Sequence, residues 1–153
     1  MASNVFTSAG TTIAVAASNP ATNDQSGYEA LSFSTIGEVT DLGEFGRVYA
    51  LVTHTPLATR AVVKRKGSYN DGTVTMSLAV DDADAGQVIL DTAVDDDDDY
   101  SFKVTTQNGT SYYFQAQTMS FPIAVGSADQ IVNRNVTLEI NSEEGIVEVA
   151  ASS

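Results

Sequence analysis

Five consecutive carboxylates, Asp95 to Asp99, are the residues most able to do chemistry. Clustered carboxylate oxygens suit a hard cation such as Ca²⁺. A calcium-binding loop of the EF-hand kind, however, alternates its ligands around a glycine and closes on a distal glutamate. The run Asp95, Asp96, Asp97, Asp98, Asp99 has neither feature and reads as a solvated acidic loop. The one histidine, His54, stands beside Pro56, and any Ser-His-Asp triad would have to use it. No Gly-x-Ser-x-Gly elbow, phosphate-binding glycine loop or His-Glu-x-x-His pair accompanies it. There is no cysteine, hence no disulfide or thiolate metal site. A carboxylate-based hydrolase would need a pair of acids in a defined setting, and no pair here has a context beyond abundance. The expectation is a protein that is not an enzyme and holds no cofactor or metal.

Charge is the stronger signal. The chain has 153 residues and a formal net charge of −13. Such a surface repels nucleic acid and anionic membranes. Four of the seven basic residues, Arg60, Lys64, Arg65 and Lys66, fall in one short segment, and acids crowd residues 81–99. Set at opposite ends of a domain, these segments would let copies stack head to tail, a heterologous contact that builds rings or filaments. Alternatively the two patches meet within one subunit, or meet nothing.

The elements that must hold these charges are mostly strands. The length predicts a single domain over 1–153, with 1–29 as an N-terminal arm or loop and 143–153 as a C-terminal tail. Residues 73–80, 100–105 and 135–140 alternate apolar and polar side chains, as half-buried strands do. Asn108-Gly109 marks a turn into a strand over 112–119. Apolar spacing at Ala85, Val88, Ile89 and Ala93 predicts one helix over about 82–94, capped by Asp81 or Asp82 and ending near Val94. Residues 31–53 read as a long hairpin bent at Gly43 and Gly46, and Asp71-Gly72 as a turn into the strand at Thr73. Met1 to Asn4 lack the basic start and apolar run of a signal peptide, and no stretch is apolar enough to span a bilayer, so no membrane partner is expected.

In this order, several stretches resemble the tail tube (major tail) proteins of bacteriophages, closest to those of long, non-contractile tails. They are residues 36–43 (IGEVTDLG), 60–67 (RAVVKRKG), 71–80 (DGTVTMSLAV), 82–90 (DADAGQVIL), 100–104 (YSFKV) and 135–140 (NVTLEI). The similarity spans roughly residues 30–142, with one helix set between strands. It implies a mainly β, sandwich- or barrel-like tail tube fold with one flanking helix, strands of neighbouring subunits joining into a continuous inner barrel. It also implies hexameric rings stacked into a hollow tube in the virion tail, assembled in the host cytoplasm. Its partners would be further copies of the chain, tape measure, tail-tip initiator and terminator proteins, and viral DNA passing without specific binding.

Residue roles follow as expectations. An electronegative lumen would let DNA slide, because cations there would trap phosphate. The segment 31–53 and the strand 112–119 would line it, offering Glu38, Asp41, Glu44, Gln115 and Gln117. Arg60, Lys64, Arg65 and Lys66 would meet Asp95, Asp96 and Asp97 of the next ring. The competing reading is a non-enzymatic β-domain for capsid decoration or host adhesion.

Overall fold

A computed structural model describes residues 4–151. Eleven strands and two helices follow in the order β1 (Thr12–Ala16), α1 (Gln25–Glu29), β2 (Ser34–Thr35), β3 (Val39–Asp41), β4 (Val48–His54), β5 (Val63–Asn70), β6 (Thr73–Ala79), α2 (Ala85–Ala93), β7 (Tyr100–Thr105), β8 (Ser111–Ser120), β9 (Ile123–Ala124), β10 (Asn133–Ile140) and β11 (Ile146–Val149). The fold is mainly β, as the alternation predicts. The large sheet runs β2-β1-β7-β8-β10-β6-β3, with β11 beside β8 and β9 beside β10, while β4 and β5 form a separate two-stranded sheet.

The two outermost strands of the large sheet, β2 and β3, are neighbours in sequence. Only Ile36, Gly37 and Glu38 lie between them. A chain of that length spans at most about 14 Å between the flanking Cα atoms. The sheet is therefore curled into a half-barrel whose two edge strands lie within reach of a three-residue link. Its concave face encloses the core, where period-two burial brings Val74, Met76, Leu78, Phe102, Val104, Phe114, Val136 and Leu138 together. Phe102 and Phe114 stack with centroids 5.6 Å apart.

Helix α2 fastens the closing link. Its N-cap is Asp84, whose carboxylate accepts from Gln87 N–H and from Gly37 N–H, each at 3.0 Å. Gln87, 5% exposed, donates from Nε2 to the carbonyls of Gly37 (3.1 Å) and Ala79 (2.9 Å), and its Oε1 accepts from Asp81 N–H (3.0 Å). One side chain thus satisfies backbone groups on the link, at the end of β6 and in the turn before the helix. Gly86 lies against the same link: a Cβ there would fall 2.6 Å from the Thr35 carbonyl oxygen and 2.7 Å from Ile36 Cα.

Several expectations are corrected. The helix begins at Ala85 because Asp84, not Asp81 or Asp82, caps it. It buries Gly86, Gln87, Leu90 and Ala93, and Val88 stays half exposed, because the buried stripe includes a glycine and an amide that apolar spacing does not register. Residues 31–53 do not form a hairpin. Glu38 takes a left-handed turn (φ 60°), β2 pairs with β1, β3 pairs with β6, and β4 pairs with β5. Within 1–29, β1 is a core strand with Ile13 and Val15 buried, and α1 packs Tyr28 on Tyr113 (centroids 5.1 Å). Within 143–153, Ile146–Val149 pairs with β8.

Replacing Gly86 by Val forces its side chain into backbone, and Gln87→Leu strands buried polar groups on three segments. Each should lower unfolding free energy by about 1–3 kcal/mol or more in urea titrations. Substitution of the half-exposed Val88 by Ala should cost well under that.

Candidate assembly surface

Among the described residues, strands β4 and β5 pair only with each other. They leave the body at Arg47 and return at Asp71. Their register runs from Val48 opposite Asn70 to His54 opposite Val63, with a bulge where Gly67 and Ser68 face Ala50. All seven residues of β4 are exposed. Val48 (69%), Leu51 (65%) and Val52 (52%) offer apolar surface to solvent, as does Leu57 in the loop. An isolated two-stranded hairpin is marginal in water, and exposed strand edges with apolar faces invite another chain.

The same hairpin carries the basic cluster. Lys64, Arg65 and Lys66 lie on β5, and Arg60 sits in the connecting loop at φ 60°. Lys66 is opposite Leu51 and Arg65 opposite Val52, so both faces present a cation beside an aliphatic side chain. Lys66 Nζ lies 4.8 Å from the centre of the Tyr49 ring. Among the described residues the one ion pair is Arg47–Asp71. The cations of the cluster are thus unpaired within their own subunit, which removes the reading in which the two charged segments neutralise each other internally.

That single pair stands at the hairpin base. Arg47 Nε donates to Asp71 Oδ1 at 3.0 Å, and its guanidinium lies 3.9 Å above the Tyr69 ring. The bond to the carboxylate raises the guanidinium pKa above its ordinary value. Asp71 is 1% exposed, and its backbone N–H donates to Ser142 Oγ at 2.8 Å. From sequence alone Arg47, Tyr49 and Tyr69 carry no expected role, and Asp71 figures only in a turn. The Asp71-Gly72 step was the available signal, but it joins two sheets instead of turning within one.

The acidic run is ordered against the body. Asp96 accepts from Tyr100 Oη (3.0 Å) and Asp98 N–H (3.1 Å), the Asp97 carbonyl from Gln117 Nε2 (2.8 Å), and Asp99 from Asn141 Nδ2 (2.9 Å). Asp95, Asp97 and Asp98 remain exposed. Among the described residues no three His, Asp or Glu side chains converge on a cation position.

The expected lumen residues separate. Glu38, Asp41 and Glu44 are exposed on and beside the edge strand β3. Gln117 is exposed, whereas Gln115 is 7% exposed, with its Nε2 3.5 Å from Tyr28 Oη. Gln115 therefore does not offer a side chain to a channel. Gln115 and Gln117 share one face of β8, opposite Phe114 and Ala116, and α1 covers that face at Gln115.

Comparison with solved structures bears on this architecture. A chain of the anti-feeding prophage baseplate, six-fold symmetrised, superposes with a TM-score of 0.71 at 8% identity, covering 100% of both chains. The sheath/tube terminator of the PVC extracellular contractile injection system gives 0.68 at 10% identity over 98% of this chain and 100% of that one. The SPP1 tail tube protein gives 0.63 at 15% identity over 94% of this chain and 78% of that one. The chain has the tail tube fold. No protein-family model and no curated protein matches the sequence. The likeness is one of fold, over nearly the whole chain, at 8–15% sequence identity.

On this tail tube fold the hairpin is the part least protected by the body. Limited trypsin digestion of the dispersed protein should cut first at Arg60, Lys64, Arg65 or Lys66. Cleavage at the strand residues Lys103 and Arg134 should follow only on unfolding, as mass spectrometry of the early fragments would reveal.

Proposed function

We propose that the protein is the polymerising structural subunit of a phage tail tube, copies of it stacking as hexameric rings into a hollow conduit for DNA. The observation that carries this reading is a hairpin with exposed apolar faces and unpaired cations, projecting from a closed body of the tail tube fold. Such a surface is costly to expose and is explained by a neighbouring copy that covers it. Arg60, Lys64, Arg65 and Lys66 would approach Asp95, Asp96 and Asp97 of the next copy. Exposed pairs contribute only about 0.2–1 kcal/mol each, so charge would set register and encounter while apolar contact supplies affinity.

Glu38, Asp41, Glu44 and Gln117 are the residues proposed for the channel side, where net negative charge would keep the DNA backbone from binding. The same reading places the protein in the virion tail, with tape measure, tail-tip and terminator proteins as further partners.

Purified protein should form hollow tubes in negative stain without added cofactor. Charge reversal at Lys64→Glu with Arg65→Glu should slow their growth and flatten its salt dependence. A protein that stays monomeric at high concentration with a tail-tip initiator supplied would overturn the proposal. Unchanged growth in the double variant would overturn its electrostatic part. A map of the tube with Glu38, Asp41 and Glu44 all facing outward would contradict the channel assignment.

A further inference from the structure

The hairpin is bounded at both ends by a glycine in a conformation that other residues rarely adopt. Gly46 (φ 150°) precedes Arg47 and Gly72 (φ 100°) follows Asp71. The two are adjacent in space: a Cβ built on Gly72 would stand 3.5 Å from the Gly46 carbonyl oxygen. Both chain crossings between body and hairpin thus pass through one pair of glycines, the least restricted residues in φ and ψ.

Few bonds resist rotation there. Gly72 is held on the body side, its carbonyl accepting from Ile140 N–H at 3.2 Å. Among the described residues, the hydrogen bonds that join residues 47–71 to the rest of the chain gather at the base, on Asn70 and Asp71: Asn70 Oδ1 accepts from Gly72 N–H at 2.8 Å, a bond local to the hinge, and Asp71 makes the others. The Asp71 N–H donates to Ser142 Oγ, and its carbonyl accepts from Gly46 N–H at 3.1 Å. Arg47 closes over the Asp71 carboxylate and lies along a cleft of about 410 Å³ shared with Phe45, Tyr112, Ile146 and Glu148. Beyond these base residues, β4 and β5 pair with no other strand among the described residues.

We propose that residues 47–71 are a hinged arm that turns as a unit about Gly46 and Gly72, with Asp71 as the latch, held by Ser142 and covered by Arg47. The eight residues of β5 give the arm a reach of about 26 Å at roughly 3.3 Å per residue, so a rotation of about 20° at the base moves its tip roughly 9 Å. Hinges of this kind confine a large backbone change to a few residues and leave the packed parts intact. In a tube, the latch would set how far the cations of the arm extend toward the next copy. That consequence rests on the tube reading, whereas the hinge does not.

The absence of cysteine allows clean pairwise spin labelling. Cysteines at Thr53 on the arm and Asn108 on the body report the arm's angle, and a pair at Asp91 and Asn108 reports the body alone. Labelled protein is diluted with excess unlabelled protein so that only distances within one subunit are read. The wild-type arm–body distribution should be narrow. Arg47→Gln and Ser142→Ala should each shift it or about double its width while the body pair is unchanged. If Arg47→Gln also broadens the body pair, Ser142→Ala, which leaves the buried carboxylate covered, decides alone. An arm–body distribution unchanged by Ser142→Ala, or one already as broad in the wild type as in the variants, would overturn the hinge.

Discussion

The structure depends on how a curled sheet is closed without pairing its edges. Strands β2 and β3 are its outer edges, and the link through Ile36, Gly37 and Glu38 carries the chain from one to the other. A link of three residues inside a curled sheet has backbone groups that no neighbouring strand satisfies, and buried groups of that kind must find partners. Helix α2 provides them: Asp84 takes the Gly37 N–H, and Gln87 takes the Gly37 and Ala79 carbonyls. Gly86 lets the helix approach closely enough for both to reach. The helix is therefore a clasp as well as a cover, and the core behind it, from Ile13 to Leu138, stays enclosed because the clasp holds.

The body encloses its own core, from Ile13 to Leu138, without the hairpin, which is left outside. Stability and assembly are then carried by different residues. The core draws on β1, β6, β7, β8 and β10, whereas the exposed Val48, Leu51, Val52 and the basic cluster contribute little to the isolated fold. The few hydrogen bonds that join the two parts run from Asp71 to Ser142 and Gly46 and from Gly72 to Asn70, with Arg47 closing over the Asp71 carboxylate. A net charge of −13 keeps free copies apart, and the concentration of cations on one arm gives the surface a direction.

Legibility in the sequence followed how local the determining interaction was. Strands β6 and β10 were readable because each buries one face, so that Val74, Met76 and Leu78 alternate with polar neighbours, and β7 because Tyr100, Phe102 and Val104 alternate with polar residues. The acidic run was rightly read as a loop, since carboxylates at a helix C-terminus oppose the helix dipole. The long hairpin over 31–53 was misread because its strands do pair, but with β1, β6 and β5, and propensity carries no information about distant partners. Gln115 looked like a polar channel residue because the helix that covers it lies almost ninety positions earlier. Gln87 was passed over for the same reason: its bonds go to Gly37 and Ala79, and nothing in its own segment announces them.

The central claim is that a closed body carries an arm whose surface belongs to a neighbouring copy. Hydrogen exchange on dispersed and assembled protein tests it most directly, because amide protection reports local opening strand by strand. The account predicts that amides of β4 and β5 exchange fast in the dispersed protein and become strongly protected on assembly, while those of β6, β7 and β10 are protected in both. Strong protection of β4 and β5 in the dispersed protein, or no gain on assembly, would contradict it.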